Sequence, residues 1–104
     1  MKYGLSEKQL KEIIKVLSSF EEVESAILFG SRAINTFKVA SDVDIAIFGK
    51  KVDMFFAAKV KDYFEDETYL PYFFDIIAFG SIKSDDLITH INTKGVKVYT
   101  KSIC

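Results

Sequence analysis

The chain has 104 residues, nearly half of them hydrophobic, with ten Phe and five Tyr; this suits one domain, residues 1–104, with a modest core, and excludes a disordered segment. A net charge of −1, from 14 basic and 15 acidic residues with no long basic block, argues against a direct nucleic-acid binder. The single cysteine, Cys104 at the last position, excludes a disulfide framework, a Cys/His zinc spacing and a prenylation box, and the absence of a membrane-length apolar run or signal-peptide core predicts no membrane association and a cytoplasmic location.

Ser6 and Gln9 form a capping box that opens a helix. Leu10, Ile13, Ile14, Leu17 and Phe20 follow at helical spacing, with Lys8, Lys11, Glu12 and Lys15 on the opposite side. After the acidic connection Glu21, Glu22 and Glu24, residues Ser25 to Phe29 read as a buried strand. Gly30 and Ser31 turn the chain, a short helix is expected from Ser31 to Asn35, and Thr36 to Ser41 is a spacer. A second strand runs from Val43 to Phe48 and ends at Gly49. Asp53 is a fair N-cap for a helix over Met54 to Phe64, in which Phe56, Val60 and Phe64 recur every four residues. Glu65-Asp66-Glu67 reads as a solvated charge run. Pro71 precedes a third strand, Tyr72 to Phe79, that contains Asp75. Ser84, with Asp85 and Asp86 in the first turn, caps a last helix whose apolar side is Leu87, Ile88 and Ile91. Gly95 ends it, and Val96 to Tyr99 closes the chain as a short strand. The order predicts an α/β or α+β layer, a small mixed sheet with helices packed on one side; strand directions stay open. His90, the only histidine, reads as a surface or boundary residue remote from the acids.

The stretch GSRAINTFKVASDVD, Gly30 to Asp44, carries the chemistry. Side chains two apart in a strand share a face, so Asp42 and Asp44 project together while Val43, Ile45 and Ile47 enter the core. Two carboxylates on one face repel unless a cation lies between them. Mg²⁺ takes one or two carboxylates together with substrate phosphates. Gly30 lets a phosphate approach the backbone, a helix opening at Ser31 favours an anion, and Arg32 offers a fork of donors. Asp75 interrupts an apolar run, where a buried carboxylate costs several kcal/mol unless paired or metal-bound. Phe74 and Ile76 point away from its face, so Asp75 can join Asp42 and Asp44.

The pattern GS-x10-D-x-D resembles the signature of the polymerase-β-like nucleotidyltransferase superfamily, and GSRA…SDVDIAI is similar to its minimal nucleotidyltransferases, the small partners encoded beside HEPN proteins. Asn35 stands where many members have Gly, and Asn tolerates a left-handed backbone. The resemblance covers nearly the whole chain. It implies the nucleotidyltransferase fold, two Mg²⁺ ions on Asp42, Asp44 and Asp75, with Asp75 as the third catalytic carboxylate, and triphosphate held at Gly30, Ser31 and Arg32. It also implies transfer of AMP from ATP to a hydroxyl, with a tyrosine of a HEPN toxin as acceptor and an antitoxin role for this chain. The aminoglycoside nucleotidyltransferases share the motif but carry an added domain for their acceptor, which this sequence does not supply. The rival expectation is a non-catalytic subunit that neutralises or regulates a HEPN partner by contact, in a homo- or hetero-oligomer. Asp53 and Asp62 are the acids to examine should Asp75 not be the third carboxylate.

Overall fold

A computed structural model of the chain describes residues 2–101; Cys104 lies outside the described residues. Helix α1, Glu7–Ser19, begins at the expected capping box: the Gln9 amide donates to Ser6 Oγ (3.1 Å) and the Ser6 amide to Gln9 Oε1 (3.0 Å). Two helix-end donors are thereby satisfied by side chains within one turn. Strand β1, Ser25–Phe29, leads through the motif loop into β2, Val43–Phe48. Helix α2, Met54–Glu67, is capped by Asp53, which accepts from the Phe56 amide (2.8 Å). Strand β3, Phe74–Ala78, runs into a single 3-10 turn, Phe79–Ser81. Helix α3, Asp85–Lys94, capped by Ser84, and strand β4, Val96–Thr100, complete the described chain.

The four strands form one mixed sheet in the order β3-β2-β1-β4. β1 is antiparallel to both β2 and β4, whereas β2 and β3 are parallel. Parallel neighbours need a crossover connection, usually helical, and α2 supplies it. One face of the sheet packs Leu28, Val43, Ile45, Ile47, Phe74 and Ile76 against Ile13 and Leu17 of α1 and Val60 and Phe64 of α2. Phe64 stacks on Phe74 with ring centroids 4.3 Å apart. Each large side chain buried this completely contributes about 1.5–3 kcal/mol.

The expectation of helices on one side only is corrected here. Phe29 and Ala46 point to the other face and pack with Ile91 of α3, joined by Ile27, Phe48, Ile77 and Leu87. The sheet is therefore covered on both faces, and α3 lies on the face to which Asp44 points. Three boundaries also differ. Residues 31–35 form turns and no helix, because Asn35 takes the left-handed conformation (φ 61°) and a right-handed helix cannot pass through it. β3 is shorter than the apolar run that announced it, since the chain bends at residues 71–72 and curls into the 3-10 turn at Phe79. Glu65, Asp66 and Glu67 belong to the last turn of α2, where Glu65 accepts the Phe74 amide (3.2 Å) and ties helix to strand. Among the described residues no helix is long and apolar enough to cross a membrane.

Candidate active site

The motif turn begins where β1 ends. Gly30 has φ +76°, a conformation that favours glycine. A Cβ on Gly30 would meet Asp44 Oδ2 at 2.2 Å, so the missing side chain is what lets the turn close over the acid. The Ala33 amide donates to Gly30 O (3.1 Å) and the Thr36 amide to Ser31 O (3.0 Å). Among the described residues the amides of Ser31 and Arg32 donate to no protein group, and they are the donors this turn has left for an anion.

Asp44 is half-buried, with Val43 and Ile45 beside it fully buried on the opposite face. Its register partner across the parallel pair is Asp75. Paired residues on adjacent strands point the same way, and strands lie about 4.8 Å apart. Asp42, exposed just before β2, completes the group. Burial, then the charge of Asp75, then that of Asp42, push the Asp44 carboxyl up to about 6, with Arg32 opposing them. Asp75 and Asp42 thus both lie close enough to act on Asp44.

Asp75 is exposed, which corrects the expectation of a carboxylate inside a buried strand. β3 is one of the two outer strands of the sheet, and its Phe74, Ile76 and Ala78 side enters the main core. The run looked buried because hydrophobic residues flank Asp75 on both sides, but Ile77 is only partly covered and Phe73 is 75% exposed.

Arg32 departs further from expectation. Its guanidinium is fully buried and donates to the carbonyls of Ser41 (Nε 3.2 Å, Nη2 2.7 Å), Tyr3 (Nη1 3.0 Å) and Val39 (Nη2 3.4 Å). It lies over the rings of Tyr72 and Phe37, at 4.6 and 5.4 Å from their centroids. With its donors committed to backbone oxygens, Arg32 does not reach toward a phosphate. It braces the spacer immediately before Asp42 and pins the N-terminal segment to it. Arg32→Lys should therefore destabilise the fold by about 2–3 kcal/mol, since a lysine cannot satisfy three separated carbonyls in a buried place. The urea midpoint measures this; an unchanged midpoint would show that the spacer is held by other contacts.

His90 brings a contact that chain order hid. Its Nε2 accepts the Gly30 amide at 2.9 Å. The signal for it lay in helical phase: Leu87, His90 and Ile91 share one side of α3 by i, i+3, i+4 spacing, and Ile91 is buried against the sheet.

The donor chemistry fits a divalent cation. Among the described residues no group of three acidic, histidine or cysteine side chains is placed to hold a metal ion by itself, but Mg²⁺ is commonly shared between one or two carboxylates and substrate phosphates. Asp44 and Asp75 at one register position, beside two free backbone donors of the motif turn, are the groups that would take part in such a shared arrangement.

Residues 11–103 match the family described as Polymerase beta, Nucleotidyltransferase. No curated protein sequence matches the chain. Among solved structures, a toxin-antitoxin with AMP-PNP superposes with TM-score 0.74 at 23% identity, covering 88% of this chain and 73% of that one. The toxin-antitoxin MntA-HepT superposes with TM-score 0.69 at 20% identity, covering 92% of this chain and 74% of the other. At these identities the likeness is one of fold.

Proposed function

The chain belongs to the polymerase-β nucleotidyltransferase family, and we propose that it transfers AMP from ATP to the hydroxyl of a protein tyrosine, releasing pyrophosphate. The observation that carries this reading is the register of Asp44 beside Asp75 on parallel strands, with the Gly30 turn closing directly over Asp44. In the reaction the acceptor oxygen forms a bond to the α-phosphorus, the bond from that phosphorus to the bridging oxygen breaks, and the hydroxyl proton is lost. Asp42, Asp44 and Asp75 would hold two Mg²⁺ ions, which when bound neutralise the triphosphate and lower the pKa of an attacking hydroxyl.

The remaining work belongs to the protein. Gly30, with no side chain, lets the turn close over Asp44. The Ser31 hydroxyl and the amides of Ser31 and Arg32 are preorganised donors for the charge that grows on the leaving pyrophosphate. Arg32 holds the spacer, and through it Asp42, in position. Asp75, exposed on an outer strand, is an acid that an incoming acceptor can reach without entering the core.

The acceptor in this reading is a tyrosine of a HEPN toxin in the cytoplasm, with the chain as antitoxin. Similarity of fold to toxin-antitoxin structures, one of them with AMP-PNP, supports it. Binding of ATP should depend on metal. Calorimetry in Mg²⁺ and in EDTA checks this, and equal affinity in both would reject a carboxylate-held cation. Labelled ATP with a purified HEPN partner then separates transfer from neutralisation by contact.

A further inference from the structure

We propose that His90 is a positioning residue for nucleotide binding, which fixes the orientation of the Gly30 turn from the far end of the chain. The inference rests on the transferase reading and adds to it a residue sixty positions from Gly30. Gly30 has a single backbone donor, in the peptide plane that leaves β1, and His90 Nε2 of α3 accepts it at 2.9 Å, while the left-handed conformation of Gly30 (φ +76°) turns the chain that follows. The ring is held in turn. It stands edge-on to Phe29, with centroids 6.2 Å apart and planes at 77°, and its neighbour Ile91 is buried against the sheet.

A ring nitrogen that accepts this hydrogen bond carries no proton, so the neutral imidazole bears its proton on Nδ1. The Gly30 amide is thereby engaged and cannot also serve a phosphate oxygen. Its role is to lock the peptide plane that enters the turn. With that plane fixed, the following amides, those of Ser31 and Arg32, keep one direction and meet the triphosphate without first losing conformational freedom. Preorganisation of this kind appears in binding, because a mobile turn must be ordered at the expense of affinity. Gln in place of His90 carries an acceptor of comparable reach, whereas Ala carries none.

Two measurements test this. In the protein labelled with ¹⁵N, a nitrogen–nitrogen coupling across the hydrogen bond from Gly30 to His90 Nε2 is expected in the free protein and after addition of Mg²⁺-ATP. Calorimetry with Mg²⁺-ATP should show affinity about three- to tenfold weaker for His90→Ala, the worth of one hydrogen bond, and largely restored for His90→Gln. Loss of the coupling when Mg²⁺-ATP binds would mean that the ring is displaced by phosphate, and would overturn the proposal. Unchanged affinity of His90→Ala would overturn it as well, with the transferase reading left standing. Failure of the unaltered protein to bind Mg²⁺-ATP would reject the transferase reading and this inference together.

Discussion

Asn in place of Asp75 is expected to keep near-normal Mg²⁺-ATP affinity and to slow transfer by at least ~10²-fold, the lower end of what activation of a nucleophile contributes. The substitution preserves shape and removes charge. Nucleotide would still be held by Asp42, Asp44 and the motif turn, while an interaction made only in the transition state is lost; such a loss lowers turnover without weakening ground-state binding. Because Asp75 is exposed on an outer strand, little desolvation is relieved, and the thermal midpoint in EDTA should hold or rise slightly as the repulsion toward Asp44 disappears. Calorimetry and a single-turnover assay with labelled ATP report the two halves separately. Transfer at the normal rate would remove Asp75 from the reaction. Asp53 would be a poor substitute, since its carboxylate already caps α2.

Asn in place of Asp44 should abolish transfer and, in metal-free buffer, stabilise the protein. The pH dependence follows from the raised carboxyl. Burial and the charges of Asp75 and Asp42 lift Asp44 from 3.8 to about 6. Between those values the folded protein keeps a proton that the unfolded chain has released, so metal-free stability falls as pH rises through this window and levels off above it. The variant lacks this slope. Because Asp44 is half-exposed, solvent screening reduces the difference to about 1 kcal/mol above pH 6, or roughly 4–8 °C in Tm for a domain of this size. At pH 4 the two proteins should melt together. Adding Mg²⁺-ATP should raise the Tm of the unaltered protein alone, by the linkage of binding to folding. A variant that unfolds at pH 8 would show instead that the Asp44 carboxylate supports the fold.

The parts of this fold that could be read from sequence are those set by neighbours along the chain. The capping box at Ser6 and the caps at Asp53 and Ser84 involve residues three apart, and each is where spacing put it. The burial of Val43, Ile45 and Ile47 on the side of β2 opposite Asp44 followed from strand period. What could not be read depends on which element lies over which. The side of the sheet that α3 covers decides the surroundings of His90, and nothing near residue 90 states it. The edge position of β3 decides that Asp75 is exposed, and an apolar run looks alike at the edge and in the centre. Arg32 misled for a related reason. A guanidinium beside a Gly-Ser turn suits phosphate, but the carbonyls of Tyr3 and the spacer take its donors first, with the Tyr72 ring stacked against it.

The outer position of β3 also bears on how heat disables the protein. This strand has one hydrogen-bonded neighbour, β2, and owes the rest of its hold to α2 on one face and the packing of Ile77 on the other. Cooperative units of a domain can open at less than the cost of global unfolding. Release of β3 alone would carry Asp75 away while Asp42, Asp44 and the motif turn stayed assembled on β1 and β2. The temperature at which chemistry fails is then set by the peeling of one strand. Transfer should fade while far-ultraviolet dichroism still reports an intact fold, and amide exchange in residues 74–78 should mark the same threshold.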